Sequence, residues 1–397
     1  MKIIIKIMLY YFKALIHKII SLLPRNRKVW LYGGVEGKFV DNSKHLFIYA
    51  NSNIHGIKHV WITSSKDELN FLKVKGFLCF YRNSISGIYY GLCAKVYIYS
   101  SDIRDVTHLS LSSGAFLFNL WHGTPLKKIG RDNYLHEMYK IENSLERIFV
   151  KRNVLKYIES DAVLCPVEFF KKSFITAFGL KDESNLCFAP YPRTLPLYFS
   201  ELQLNQHIDR FESPELKAFV EHCKLYSKVW IYMPTWREHN PNFIKEAIKD
   251  IDELNEICLK KGILFIMKLH PNSNVDFLIS KYSNVILLSN KIDIYPLLPY
   301  TTTLLTDYSS VFIDYYILKK EVVFYPFDLL DYKAHSREMY FEYEELAKGK
   351  KIYNFNELLN YLNSDDEVHI QIDVNMFCPQ VDWKIEDIEK YILSRIN

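Results

Sequence analysis

The sequence predicts an α/β protein of two similar halves, each a parallel sheet flanked by helices, with a cleft between them. Three observations carry this. Short runs rich in aromatic and β-branched residues alternate with helical stretches along most of the 397 residues, the order that builds parallel sheets. The rhythm breaks into a polar, less regular stretch from Leu195 to Ser227 and then restarts. The length also exceeds one ordinary core, so two domains of about 150–200 residues are expected.

In the first half, strands are expected at Lys28–Gly34, His59–Thr63, Phe77–Tyr81, Lys95–Tyr99, Ala115–Phe118, Ala162–Cys165 and Asn185–Phe188. Asp41-Asn42-Ser43 offers helix caps before His45 to Ala50. Further helices are expected at Lys66–Lys75, Gly87–Leu92, Ile141–Glu159 and Glu168–Phe178. The second half opens with a linker and a first helix before Ser227. Strands then start at Lys228, Ile263, Asn284, Thr303 and Glu321, with helices at Phe243–Lys261, Val311–Lys319, Leu358–Leu362 and Val381–Ile396.

Hydrophobic content of 49% and aromatic content of 15% supply two cores and exclude a disordered class. A net charge of +4 is too small to point to nucleic acid. The seven cysteines, at 79, 93, 165, 187, 223, 258 and 378, show no CxxC pair. They read as buried thiols in a reducing compartment.

Met1 to Leu23 is rich in Ile, Leu, Tyr and Phe, but its longest charge-free run lies between Lys6 and Lys13. That is far short of the ~20 residues of a membrane span. Wound at ~100° per residue, Lys2, Lys6, Lys13 and His17 fall on one stripe. Pro24 stops the helix, and no small-residue cleavage site marks a signal peptide. Residues 1–27 therefore read as a basic amphipathic helix lying on an anionic membrane, or as a helix docked on its own domain with solvated lysines.

The candidate chemistry sits at strand ends. The run Ala115-Phe-Leu-Phe leads into Asn119-Leu-Trp-His122-Gly-Thr-Pro-Leu-Lys127-Lys128. Loops past strand ends are where open α/β folds bind ligands. A histidine and a lysine there suit a substrate with a proton to move and negative charge to hold, although a core histidine and a turn would look alike. Thr235-Trp236-Arg237, Lys268-Leu269-His270 and Asp307-Tyr308-Ser309-Ser310 end three strands of the second half. Ser309 and Ser310 would cap the next helix, or present its N-terminus to a phosphate. Asp314, four residues on, would accept bonds from ribose or polyol hydroxyls, or stand as an exposed acid with a cation neighbour.

There is no GxxxxGK[ST], GxGxxG, HExxH or GxSxG, and no DxD metal clamp stands out. Arg193, Arg237, Lys268 and Arg337 with a helix dipole suit phosphate transfer without a metal.

These residues together resemble the CDP-glycerol glycerophosphotransferase family: wall teichoic acid primases and polymerases and their capsule relatives. Trp121 to Lys128 is similar to its WHGTPxK signature, and Asp41-Asn42-Ser43-Lys44 to its DNSK element. The segments around Thr235, His270 and Asp307 follow in the family's order, and Arg337 to Tyr343 resembles its RGxxxDY tail. The resemblance spans roughly residues 28–350. It implies a GT-B fold with two Rossmann-like domains, at 28–200 for the acceptor and 201–380 for the donor, and a C-terminal helix at 381–397.

The resemblance further implies a CDP-glycerol or CDP-ribitol donor and a lipid-linked or polysaccharide acceptor. It also implies no metal or other cofactor, and peripheral work at the cytoplasmic face of the bacterial membrane. His122 would be the general base on the acceptor hydroxyl, and His270 would hold the donor pyrophosphate as CMP leaves. Gly123, Thr124, Pro125, Lys127, Arg193, Thr235, Trp236, Arg237, Lys268, Ser309, Ser310, Asp314 and Arg337 make up the donor and phosphate set. The chain departs from the family where GYPRND becomes Pro190-Tyr-Pro-Arg193-Thr-Leu195, and where Glu338 replaces the tail's glycine. A GT-B enzyme using a nucleotide sugar, and a non-catalytic membrane-bound module with structural histidines, are the other readings.

Overall fold

A computed structural model of the chain describes residues 15–107, 110–133, 160–270, 273, 282–364 and 382–396. The chain divides into two units. The first comprises Met1–His122, Ile129–Leu195 and Pro379–Asn397; the second comprises Gly123–Lys128 and Pro196–Cys378. The main boundary falls between Leu195 and Pro196, and the C-terminal helix belongs to the first unit. The expected helix over 141–159 lies outside the described residues, as does 1–14 of the N-terminal one.

The first unit is built on β1 (Asn26–Gly33), β2 (Lys58–Thr63), β3 (Cys79–Tyr81), β4 (Ala94–Tyr99), β5 (Phe116–Asn119), β6 (Ala162–Cys165) and β7 (Leu186–Phe188). Their order is β3-β2-β1-β4-β5-β6-β7, with every pairing parallel. The central strands are buried on both faces, which is why they read as continuous apolar runs rather than alternating ones. Helices α1 (Asp41–Asn53), α2 (Lys66–Val74), α3 (Ile85–Cys93) and α4 (Lys171–Phe178) connect them. Gly33 ends β1 where no side chain fits: a Cβ there would lie 2.4 Å from the Asp105 carbonyl oxygen.

The N-terminal segment is pinned to this unit by Arg25. Its guanidinium donates to the carbonyls of Gly91 (2.8 Å), Ala94 (3.1 Å), Leu111 (2.6 Å) and Ser113. Residues 15–21 just before it are helical, and the Ser113 hydroxyl donates to the His17 carbonyl at 2.6 Å.

The second unit carries α5 (Glu201–Phe211) and α6 (Pro214–Cys223) where the polar stretch gave little periodicity. Serine caps at Ser200 and Ser213 start both. Its sheet contains β8 (Lys228–Met233), β9 (Ile263–Met267), β10 (Val285–Leu287), β11 (Thr303–Thr306), β12 (Glu321–Phe324) and β13 (Lys350–Lys351). The order is β10-β9-β8-β11-β12-β13, again all parallel.

The helix expected over Phe243–Lys261 is two, α7 (Phe243–Ala247) and α8 (Ile251–Lys261). Asp250 breaks the run by capping the second, accepting from Glu253 N at 3.0 Å. The next, α9 (Val311–Tyr315), passes into a 3-10 turn that ends at Lys319 with φ +53°. Helix α10 (Leu329–His335) was not expected, since it is short and lacks a strong apolar stripe.

Because all strands of this sheet run the same way, the loops after β8, β9, β11 and β12 leave at one edge. Arg237 ties three of them together. Fully buried, it donates from Nη1 to Asp307 at 2.6 Å and to the Thr235 carbonyl. Nε and Nη2 donate to Asp328 at 2.9 and 2.8 Å. The guanidinium carbon lies 4.7, 5.0 and 5.1 Å from the ring centroids of Phe243, Tyr308 and Tyr332. Burial opposes the charge, but Asp307 and Asp328 more than offset it and hold the pKa above its ordinary value.

Arg237→Met would leave two buried carboxylates without their cation. The expected cost is about 3–5 kcal/mol, read as a lower urea midpoint for unfolding of the second unit. A midpoint like that of wild type would show that the pair does not hold these loops.

Candidate functional site

In the first unit, three separate stretches converge on His122. Asn119 closes β5 and turns the chain: its side chain donates to the Ser101 carbonyl at 3.1 Å and accepts from Trp121 N at 2.8 Å. Trp121 takes φ +54°, an uncommon conformation for a bulky residue. It is supported by its ring packing on Phe178 and by Asn42, which donates to its carbonyl at 2.8 Å. The same Asn42 side chain accepts from Arg193 N at 3.1 Å, so α1, the β5 loop and the loop after β7 share one amide.

His122 is exposed, and its Nδ1 lies 2.9 Å from the Ser100 carbonyl. A carbonyl can only accept, so Nδ1 carries the hydrogen and Nε2 is the basic nitrogen of the neutral ring. Ser100 is itself held: Ser43 bonds its hydroxyl at 2.7 Å, and Asp105 accepts from Ser100 N and Ser101 N at 3.2 and 2.8 Å. Burial pushes the Asp105 carboxyl up to about 7.

Arg193 was expected to face phosphate. It is instead 5% exposed, donating to the His122 carbonyl at 2.7 Å and to Asp41 at 3.2 Å while lying over the Tyr191 ring. Here it braces the histidine loop, because the chain supplies a carboxylate and a carbonyl within its reach.

The rest of the signature belongs to the second unit. Gly123, Thr124, Pro125 and Leu126 are buried, and the strand-like segment at Lys127 pairs antiparallel with Met339. Lys128 N donates to the Glu338 carbonyl at 2.7 Å, and Tyr340 N donates to the Leu126 carbonyl at 2.8 Å. Glu338, where the family has glycine, also pairs with the Lys128 ammonium.

Lys127 Nζ donates to the Tyr332 hydroxyl at 2.9 Å. Burial first, then the nearby Arg337 charge, bring its pKa down to about 7. Arg337 is exposed. A buried ammonium repelled by a second cation is in the situation that a bound anion relieves.

Around the edge of this sheet, Trp236 stacks on His270 with centroids 5.2 Å apart and planes at 21°. His270 opens onto a cavity of about 330 Å³ walled by Phe219, Leu288 and Ile292, with Glu215 and Ser289 as polar groups. Ser310 makes no side-chain capping bond, so the capping reading of that hydroxyl does not hold. The buried hydroxyls of Thr124 and Thr235 make no hydrogen bond to any described residue.

Three other expected ligand groups are turned inward. Arg237 is spent on Asp307 and Asp328. Lys268 donates to the carbonyls of Ser289 and Ile292 at 2.7 and 3.1 Å, its pKa lowered to about 8 by burial. Asp314, 4% exposed, accepts from the Tyr295 hydroxyl at 2.6 Å. Each has an internal partner that sequence spacing could not show. Asp307 shapes the site from inside the Thr306-Asp-Tyr-Ser-Ser motif, whereas Asp328 and Tyr332, which also shape it, lie outside the strand-end motifs of the sequence.

The family model described as CDP-Glycerol:Poly(glycerophosphate) glycerophosphotransferase matches residues 15–382. The teichoic acid poly(glycerol phosphate) polymerase of Bacillus spizizenii is 26% identical over 361 residues, 85% of this chain and 83% of that protein. The teichoic acid glycerol-phosphate transferase of Staphylococcus aureus is 26% identical over 374 residues, 88% and 87% of the two. The structure of the wall teichoic acid polymerase TagF is 22% identical, with a TM-score of 0.73 and 98% of each chain covered, so the fold is of the GT-B type as expected. With a family match running through most of its length, the chain belongs to the CDP-glycerol:poly(glycerophosphate) glycerophosphotransferase family.

Proposed function

We propose that the protein transfers glycerol phosphate, or a related alditol phosphate, from a CDP-alditol to a hydroxyl of a lipid-linked or glycan acceptor. The observation that carries this is the pair of unlike sites. One unit presents a histidine with a fixed basic nitrogen, and the other presents crowded cations and unsatisfied hydroxyls. In this reading His122 Nε2 takes the proton of the acceptor hydroxyl as its oxygen attacks the donor β-phosphorus. The bond from that phosphorus to the bridging oxygen breaks, CMP leaves with the electron pair, and a phosphodiester forms.

Lys127, Arg337, Ser309, Ser310 and the Thr124 and Thr235 hydroxyls hold the diphosphate. His270 neutralises the leaving phosphate, and the cavity beside it takes the nucleoside. Side-chain cations here take the part a divalent ion would otherwise play.

Among the described residues no helix is long and apolar enough to cross a membrane. Leu15, Ile19 and Leu22 are nonetheless 57%, 56% and 81% exposed, and the basic Lys18, Arg27 and Lys28 lie close to them in sequence. We assign this segment to peripheral contact with the cytoplasmic face of the membrane, where a lipid-linked acceptor would be met. Deleting residues 1–23 is expected to weaken sedimentation with anionic vesicles. Equal sedimentation of the truncated protein would return the segment to a purely structural role.

Incubation of the protein and acceptor with CDP-glycerol or CDP-ribitol is expected to release CMP. Release of nucleotide only from a nucleotide sugar would reject the reading. His122→Ala and His270→Ala are expected to melt like wild type and to lose roughly 10²-fold or more in turnover. Destabilisation in proportion to lost activity would make both histidines structural.

The low pKa of Lys127 gives a pH signature. The ammonium is charged below about 7, and a bound diphosphate raises its pKa. Donor affinity is therefore highest below pH ~7 and falls as pH rises above it. Equilibrium titration of CDP-glycerol between pH 6 and 9 would show this slope in wild type and a flatter one in Lys127→Met. An identical slope in both would remove Lys127 from the diphosphate site.

A further inference from the structure

The second unit carries a compact set of metal-binding side chains that the transfer chemistry does not use. His239 Nε2 lies 2.7 Å from one oxygen of Asp331, and His335 Nδ1 lies 3.0 Å from the other. The imidazole centroids are 5.0 Å apart. One ligand atom from each residue lies within 4.8 Å of the other two. A tetrahedral ion bound at about 2.0–2.2 Å places its ligand atoms roughly 3.3–3.6 Å apart, so small side-chain rotations suffice.

The backbone behind the set is fixed before any ion arrives. Asp331 and His335 stand four residues apart on α10, on one helix face. The residue just ahead of that helix, Asp328, is bonded to Arg237, and His239 follows Arg237 by two positions. The loop after β8 and the helix are thus already held side by side. All three ligands are exposed, so an ion reaches them without opening the core.

We propose that His239, Asp331 and His335 form a site for a divalent transition-metal ion of the zinc class. Two imidazole nitrogens and one carboxylate select zinc, cobalt, nickel or copper over magnesium or calcium, which take all-oxygen sets. Three protein ligands leave at least one position for water or an external anion. Binding exchanges the present arrangement, in which Asp331 accepts from both imidazoles, for one in which all three groups donate electron pairs to the ion. The charges next to the ligands in sequence are Glu238, which favours the ion, and Lys333 and Arg337, which oppose it. Lys333 is already paired with Glu342 at 3.3 Å.

The test uses the full chain, freed of metal by a chelator and then titrated with zinc by calorimetry and with cobalt by visible absorption. The expected result is one ion per chain, a cobalt d–d band, and no heat with magnesium. His239→Ala and His335→Ala should each weaken zinc binding roughly 10-fold or more. His55→Ala, which removes an exposed histidine elsewhere, should leave it unchanged, and melting curves check that each variant folds. Absence of the cobalt band, or equal zinc affinity in the folded His239 and His335 variants and wild type, would overturn the proposal.

Discussion

The ion triad of Arg237, Asp307 and Asp328 is the constraint on which the second unit's active edge depends. A parallel sheet delivers its loops to one edge but does not order them. One guanidinium, with its five donors in a rigid fork, does so here. It fixes Asp307, which in turn accepts from Thr235 N at 2.8 Å and from Tyr308 N. It also fixes Asp328, which accepts from the Tyr308 hydroxyl at 3.0 Å and opens the helix that carries Tyr332. Tyr332 then meets Lys127. The chain of bonds runs from a fully buried cation to a half-buried one whose charge is poised, with no exposed arginine needed to position either.

The first unit reaches the same end with an amide and a backbone carbonyl, backed by the Arg193–Asp41 pair. Asn42 spends both ends of one amide on holding the Trp121 and Arg193 backbones, and Ser100 spends its carbonyl on the His122 ring. Fixing Nδ1–H leaves Nε2 as the proton-accepting nitrogen of the neutral ring. The signature Trp121 to Lys128 is divided between these tasks. His122 closes the first unit, and Gly123 to Lys128 are folded into the second.

Much of this was legible in the sequence because parallel strands buried on both faces leave long apolar runs, and those runs end where the chemistry begins. The two halves, the strand order along the chain and the identity of the polar endings follow from that pattern. Inward or outward orientation was less legible. Arg193, Arg237, Lys268 and Asp314 have residue types suited to a ligand, yet each is satisfied by a partner distant in sequence, such as Asp328 for Arg237. Short elements were also hidden. Helix α10 is seven residues long, below the length at which apolar periodicity can be told from chance. The break between α7 and α8 depends on a single capping aspartate inside a sequence of good helix formers.

The proposed function divides the labour: the second unit would hold the donor, and His122 would act only on the acceptor's proton. Calorimetric titration of CDP-glycerol into His122→Ala tests this most directly. The division requires a donor dissociation constant equal to that of wild type in a variant that has lost turnover. A donor affinity that falls in step with turnover would place His122 in the donor site and contradict it.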